Sequence, residues 1–310
     1  MNNSQPLAPI VLFVFNRPVH TKKTLQALKE NKQADESILY IYCDGVKDGA
    51  SIDIIENNNQ VRKVIREEQW CKEVIIIESK KNKGLANSVI SGVQDVVNKY
   101  GKVIVLEDDL ITSTMFLDFM NNALNLYENN KEVFQISGYN FPVPQLKSSN
   151  SSFFLGLAST WGWATWKRAW DAVDFECKDF NLIKEDKKLA YNFNQKGAYN
   201  YKKMFLQQME SSKISSWGIR FYWNVFKKNA LVLYPDRSLV HNIGWDNSGK
   251  HKDNYDIFPA LEMDLNYRII NFPEDNKINI KVEKIIRSYI KRRTSYRTKL
   301  LNRLINIIKK

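Results

Sequence analysis

The sequence predicts an α/β protein with a doubly wound, mostly parallel sheet and helices on both of its faces. Three observations predict it. Short apolar runs alternate with longer amphipathic stretches through the first half of the chain: Ile10 to Phe15, Ile38 to Cys43, Val74 to Ile77 and Val103 to Leu106 are each followed by a helical pattern. These runs show no in-and-out alternation, as expected of strands buried on both faces. Each is also followed by polar or charged residues, so that polar groups collect where the strands end.

The elements follow in order. Ile10 to Phe15 is broken by Asn16-Arg17-Pro18, and a helix is predicted from about His20 to Lys29. The second strand, Ile38 to Cys43, ends in Asp44-Gly45, and a helical stretch spans about Asp53 to Glu68. The third strand leads into Asn82-Lys83-Gly84-Leu85-Ala86-Asn87, which opens a helix to about Tyr100. Gly84 permits close backbone approach there, and free N–H groups at a helix start can meet an anion. The fourth strand begins at Lys102 and ends abruptly in Glu107-Asp108-Asp109. Three adjacent carboxylates repel one another, and burying them unpaired costs several kcal/mol, so either solvent or a cation is expected beside them. Hard oxygen ligands of this kind suit Mg²⁺ or Mn²⁺ completed by water and phosphate oxygens. The next helix carries Phe116, Phe119, Met120, Ala123, Leu124 and Tyr127 on one stripe, a core-packing face.

In a parallel sheet Arg17, Asp44, Lys83-Gly84 and Glu107-Asp108-Asp109 gather at one edge, outside the carboxyl ends of the strands, where open α/β sheets bind ligands. Neither G-x-G-x-x-G nor G-x-x-x-x-G-K-[ST] is present, so any nucleotide is held by other means.

The second half changes character. Seven of the eight tryptophans lie beyond residue 160, four of them within Trp161-Gly162-Trp163-Ala164-Thr165-Trp166-Lys167-Arg168-Ala169-Trp170. Tryptophan faces stack on sugar rings, so an aromatic wall for a carbohydrate competes here with ordinary core packing. A helix is predicted from Trp217 and a strand over Ala230 to Pro235, followed by a polar loop from Ser238 to His251 holding two of the three histidines, His241 and His251. A neutral imidazole near an acid cluster can ligate a metal.

At 310 residues with 44% apolar composition, the chain can bury a substantial core. Three widely spaced cysteines argue against a disulfide framework or zinc site and suggest a reducing compartment. No apolar run reaches the length of a membrane span. The net charge of +12 is concentrated in residues 281–310, which hold eleven Lys and Arg against one Glu. The rest of the chain is nearly neutral, which argues against nucleic acid as a partner. The tail carries Val282, Ile285, Ile286, Tyr289 and Ile290 at helical spacing, a pattern repeated by Leu300, Leu301, Leu304, Ile305 and Ile308. Its cationic polar face suits an anionic membrane interface, and the alternative is a terminal helix packed on the body or on a second subunit. The organisation expected is residues 1–145 and 146–277 as two halves of one domain, and 278–310 as a basic amphipathic tail.

Several ordered motifs together carry a family resemblance. Pro9 to Pro18, Asn82 to Asn87, Val105 to Leu110, Ser137-Gly138-Tyr139-Asn140 and Trp161 to Trp166 resemble bacterial glycosyltransferases of the GT-A fold, and are distantly similar to the animal N-acetylglucosaminyltransferase I group. The resemblance covers roughly residues 8 to 255. It implies a metal-dependent hexosyl- or N-acetylhexosaminyltransferase that moves a sugar from a nucleotide-diphosphate sugar, UDP favoured, to a glycan or lipid-linked glycan. The setting it implies is surface polysaccharide synthesis, either lipopolysaccharide or capsule, at the cytoplasmic face of the membrane. Asp109 then stands as the direct metal ligand in the place of the D-x-D motif, beside Glu107 and Asp108, with Mn²⁺ or Mg²⁺ as the ion. Arg17 and Asp44 would hold base and ribose, with Lys83 and Gly84 nearby. His241 or His251 would match a C-terminal histidine on the metal or diphosphate, and Trp161, Trp163, Trp217 and Arg220 would face the acceptor. The chain departs from the pattern at Gly218, where inverting members often carry an acid. Asp246, with Asp171 behind it, is the candidate base for the acceptor hydroxyl. A sugar-nucleotide pyrophosphorylase and a noncatalytic carbohydrate-binding protein are the rival readings.

Overall fold

The structure, a computed structural model, describes residues 5–146, 149–211, 215–246 and 263–295. The first half runs β1 (Ile10–Val14), α1 (Pro18–Lys29), β2 (Ile38–Cys43), α2 (Ile52–Val64), β3 (Glu73–Glu78), α3 (Leu85–Tyr100), β4 (Lys102–Glu107), β5 (Leu110–Thr112), α4 (Phe116–Leu126) and β6 (Val133–Ser137). The second half runs β7 (Ser152–Leu155), β8 (Trp163–Trp166), α5 (Lys167–Trp170), α6 (Leu182–Glu185), α7 (Lys187–Phe193), α8 (Tyr201–Glu210), α9 (Trp217–Lys227), β9 (Leu231–Pro235), β10 (Val240–Asn242) and α10 (Ile280–Thr294). Eight strands form one sheet in the order β3-β2-β1-β4-β8-β6-β9-β7, and β10 pairs with β5 in a separate ribbon.

The predicted mixed α/β sheet, mostly parallel with helices around it, is the observed architecture. β3, β2, β1 and β4 are mutually parallel, β8 enters antiparallel between β4 and β6, and β9 runs parallel to β6. The central strands are apolar without alternation because both faces are covered: every residue of β1 is buried, and so are the first five of β4. β3 lies at an edge, partly exposed along its length, with glutamates at both ends that discourage further pairing. The other edge, β7, is met by bridges from Asn271 and Ile278.

Two features position the crevice. The chain steps outward from β1 to β2 to β3 and then returns through α3 to lay β4 on the other side of β1. The loops leaving the adjacent strands β1 and β4 therefore lie side by side at the carboxyl edge and line the crevice, with Thr24 of α1 reaching the Asp108 carbonyl at 2.9 Å. Asn58, buried on α2, ties that edge together by donating through Nδ2 to the carbonyls of Phe15 at 2.7 Å and Asp44 at 3.0 Å.

The second half corrects three expectations. Trp163 to Trp166 forms a central strand, so the tryptophan cluster is largely core: Trp163, Trp166, Trp170, Trp217 and Trp223 are all at most 3% exposed. The loop after Ser238 contains β10, whose antiparallel pairing with β5 sets His241 opposite Ile111. The tail begins docked on the body. On α10 the side chains of Ile286, Tyr289 and Ile290 are buried, Asn279 N–H donates to the Phe154 carbonyl at 2.9 Å, and Thr294 Oγ1 donates to the Ala198 carbonyl at 2.9 Å. The apolar stripe read as a membrane face is thus spent on packing, while Lys281, Lys284, Lys291 and Arg292 remain exposed. The second repeat, Leu300 to Ile308, lies outside the described residues. Among the described residues no helix is long and apolar enough to cross a membrane.

Candidate functional site

At the cleft between β1 and β4 the three acids meet Arg17. β4 delivers Glu107 at its last position, and Pro18 at the start of α1 ends the preceding loop so that Arg17 sits at the helix N-terminus, its carbonyl receiving Thr21 N–H and Oγ1, each at 2.9 Å. Arg17 Nη2 donates to Asp108 Oδ1 and, at 2.9 Å, to Asp109 Oδ2. These side chains are 17, 8 and 13% exposed. Thr24 Oγ1 donates to the Asp108 carbonyl at 2.9 Å and fixes the turn from behind. Burial opposes the charge of Arg17, yet the two carboxylates hold its pKa above the ordinary value. Asp108 is raised, burial outweighing the guanidinium. Opening such a buried pair by deleting one partner costs about 3–5 kcal/mol, because the other charge is left uncompensated.

Glu107 differs from its neighbours. Burial, then the charges of Asp109 and Asp108, push its carboxyl up to about 8, against the pull of Arg17 and a hydrogen bond with Trp217 at the start of α9. Between about pH 4.5 and pH 8 the folded chain holds a proton that the unfolded chain has released. Stability therefore falls as pH rises through that window, by at most ~1.4 kcal/mol per pH unit for the one group. Glu107→Gln is expected to flatten this slope. Denaturant titrations in EDTA at pH 5 and pH 8 measure it, and an equal pH dependence in wild type and variant would show that the proton resides elsewhere.

The loop after β10 covers the acids. Ile243 N–H donates to the Asp109 carbonyl at 2.8 Å, and Gly244 packs so tightly that a Cβ there would overlap Asp109 Oδ2 and lie 3.0 Å from Arg17 Nη1. Only glycine fits. Asp246, half-exposed, faces His20 Nε2 at 3.1 Å. Trp245 meets Trp161 edge to face with centroids 6.4 Å apart, and Trp161 leans on Tyr139 at 4.6 Å. Trp161 and Trp245 are the half-buried tryptophans of the described residues; Trp245 follows Gly244, which packs on Asp109, and Trp161 adjoins Trp245.

Asp44 lies at the same edge with its carboxylate already engaged. Oδ1 accepts from Gly45 N–H at 3.0 Å and Lys83 N–H at 2.9 Å, and Oδ2 from Gly84 N–H at 2.9 Å and Asn82 Nδ2 at 3.1 Å. A carboxylate offers about four lone-pair sites, so these donors fill it. In this arrangement Asp44 shapes the Asn82–Gly84 loop at the start of α3 rather than presenting free oxygens to a base or ribose. The Lys83 side chain is exposed.

Other predicted site residues lie elsewhere. Asp171 follows α5 at the opposite end of the sheet, because β8 runs antiparallel to β4 and Trp166 pairs with Lys102 at the beginning of that strand. Its carboxylate is lowered by bonds to Lys167 at 2.5 Å and Gln94 at 3.1 Å. It cannot serve as base for chemistry at Asp109. Trp163 and Trp217 are buried and stacked on each other with centroids 4.7 Å apart, so neither face is open to a sugar. Arg220 donates to the carbonyls of Ser216 at 3.1 Å and Phe175 at 3.2 Å, anchoring α9. At Gly218 a Cβ would lie 2.5 Å from Thr160 Cγ2, so a side chain at the position expected to bear an acid would have to displace that methyl group. His241 stands two residues before Ile243 on β10, and His251 lies outside the described residues. Sequence reasoning gives no site role to His20, Asn58 or Trp245, and names Asn82 only as part of the loop that opens α3. His20, at the start of α1 three residues after Arg17, is the one whose position pointed to the cleft.

Among the described residues no three or more His, Cys, Asp or Glu side chains are gathered to hold a metal. A hard divalent ion that keeps waters and takes phosphate oxygens needs only one or two carboxylates, a donor type that Asp109 and Asp108 offer side by side at Arg17 Nη2. Arg17 currently bonds both.

Comparison with known proteins gives likenesses of overall shape. No family model and no curated protein matches the chain. Among solved structures, the mannosyltransferase PcManGT from Pyrobaculum calidifontis in complex with GDP-Man and Mn²⁺ is similar at a TM-score of 0.40 and 10% identity, over 72% of this chain and 74% of that one. The galactosyltransferase LgtC in complex with donor and acceptor sugar analogs is similar at 0.38 and 8% identity, over 73% and 72%. A UDP-glucose pyrophosphorylase complexed with UDP-glucose is similar at 0.34 and 10% identity, over 74% and 90%. Likenesses this distant, spread over two kinds of enzyme, decide nothing about what this chain does.

Proposed function

We propose that the chain is a glycosyltransferase of the GT-A kind, moving a sugar from a nucleotide-diphosphate sugar to a glycan acceptor. The observation that carries this reading is the meeting of Arg17 with Glu107-Asp108-Asp109 at the point where the strand order reverses, outside the carboxyl ends of β1 and β4. Asp109, with Asp108, would hold Mn²⁺ or Mg²⁺, which when bound supplies positive charge where the leaving diphosphate becomes negative. Arg17 presents a planar fork suited to phosphate oxygens. Asp44 supports the Asn82–Gly84 turn, whose backbone would border the nucleotide. Asp246, exposed beside the cleft and oriented by His20, is suited to accept the proton of an acceptor hydroxyl. Trp161 and Trp245 form the aromatic wall for the acceptor sugar, and His241 remains a candidate contact for the diphosphate. The exposed cations of α10 suit an anionic membrane carrying a lipid-linked acceptor, as expected in surface polysaccharide synthesis.

The pyrophosphorylase reading is disfavoured because only Phe15, Asn16 and Arg17 separate β1 from α1, leaving no room for a glycine-rich phosphate loop, and Arg17 is bound to acids. A thermal-shift screen of UDP- and GDP-sugars with Mn²⁺ tests the proposal. A ligand at 100 times its Kd stabilises by ~2.7 kcal/mol, so a bound donor should raise the melting temperature by several degrees. No shift with any nucleotide sugar would overturn it.

A further inference from the structure

Both carboxylates suited to a divalent ion already carry a protein cation. Arg17 Nη2 bonds Asp108 and Asp109 together, all three side chains are less than one-fifth exposed, and Gly244 lies directly against them, so that a Cβ there would touch Asp109 Oδ2 and Arg17 Nη1. Arg17 Nη2 takes one oxygen of each carboxylate, so a divalent ion drawn to the same pair of aspartates meets a like charge within a few ångströms of it. An ion arriving alone would have to displace Arg17 and strand it without an anion in a nearly closed pocket. An ion arriving with a diphosphate meets no such obstacle, because phosphate oxygens offer the displaced guanidinium a bidentate partner at least as good as the carboxylates.

We propose that Arg17 is an internal counter-ion that keeps divalent metal off Asp108 and Asp109 until a nucleoside diphosphate draws it away, so that metal and nucleotide bind as a mutually reinforcing pair. This rests on the metal site assigned under Proposed function. Arg17 then determines the binding order as well as the charge balance: a donor-free enzyme stays metal-poor, and the cleft acquires its ion together with the group whose departure the ion assists. Thermodynamic reciprocity makes the effect measurable from either side, since the factor by which nucleotide tightens metal equals the factor by which metal tightens nucleotide.

Free Mn²⁺ followed by electron paramagnetic resonance reads this without any turnover. Wild type, Arg17→Met and Arg17→Lys are titrated with Mn²⁺ alone and with UDP or GDP present, nucleotide-only samples correcting for Mn²⁺ bound by free nucleotide. Wild type should bind Mn²⁺ at least tenfold more tightly with a nucleoside diphosphate than without. Arg17→Met should bind Mn²⁺ alone at least tenfold more tightly than wild type does, with the nucleotide effect reduced to a few-fold. Arg17→Lys, which keeps the charge and loses the fork, should fall between and serves if the Met variant does not fold. If wild type binds Mn²⁺ equally well with and without nucleotide, the counter-ion role is overturned. It is also overturned, with the metal site left standing, if wild type takes Mn²⁺ with nucleotide and neither variant binds the ion alone any better. If no form binds Mn²⁺ under any condition, the metal site itself fails and the counter-ion role with it.

Discussion

Asp109→Asn is expected to lower kcat/KM for a nucleotide sugar by about a hundredfold or more while leaving the melting temperature within a few degrees of wild type. The substitution keeps the shape of the side chain and an oxygen that can still accept from Arg17 Nη2, now at 2.9 Å. It removes the negative charge that would anchor the ion facing the leaving diphosphate. Preorganised charge of this kind is worth several kcal/mol in a transition state, and one lost donor to a developing anion alone costs about 2.7–4 kcal/mol. Steady-state kinetics beside circular dichroism melts provide the check. Turnover within about tenfold of wild type would mean that Asp109 does not face the reacting diphosphate.

Removing α10 is expected to have the largest effect on stability. A chain ending at residue 278 loses the buried side chains of Ile286, Tyr289 and Ile290, the Thr294 bond to Ala198, and the Asn279 bond that caps the bridge between Ile278 and Phe154. Burying one large apolar side chain contributes about 1.5–3 kcal/mol. Three of them contribute about 4.5–9 kcal/mol of burial, on the scale of the net stability of a whole domain. Calorimetry should show a melting temperature lowered by more than ~10 °C, or a truncated chain that stays insoluble. An unchanged melt would mean that α10 is a detachable tail whose apolar face is free for a membrane.

The legible part of the fold was the part ruled by burial. β1, β2 and β4 are covered on both faces, so their sequences are continuous apolar runs, and their ends are marked by the polar residues that line the cleft. The same logic brought Arg17, Asp44 and the three acids to one edge from sequence alone. What the sequence concealed was partnership. Asp44 looks the same on paper whether its oxygens meet a ribose or four protein donors, and only the backbone path of Asn82 to Gly84 decides between them. Trp163 sits on a strand whose Thr and Trp residues suit a sheet, but its place between β4 and β6 depends on long-range antiparallel pairing that no local pattern announces. Asp171 failed as a base for the same reason, since β8 carries it away from the cleft. Gly218 was noticed as a departure from pattern, and its cause, the methyl group of Thr160, belongs to a contact 58 residues away in the chain.

The central claim is that the cleft at β1 and β4 breaks a sugar–diphosphate bond with the help of Asp109. Acceptor-free hydrolysis of radiolabelled UDP- and GDP-sugars, followed by separation of free sugar from intact donor, measures that step with no knowledge of the acceptor. At least one donor should release sugar and nucleoside diphosphate in Mn²⁺, with release abolished by EDTA and by Asp109→Asn. A panel in which no donor is cleaved, or in which Asp109→Asn cleaves as fast as wild type, would contradict it.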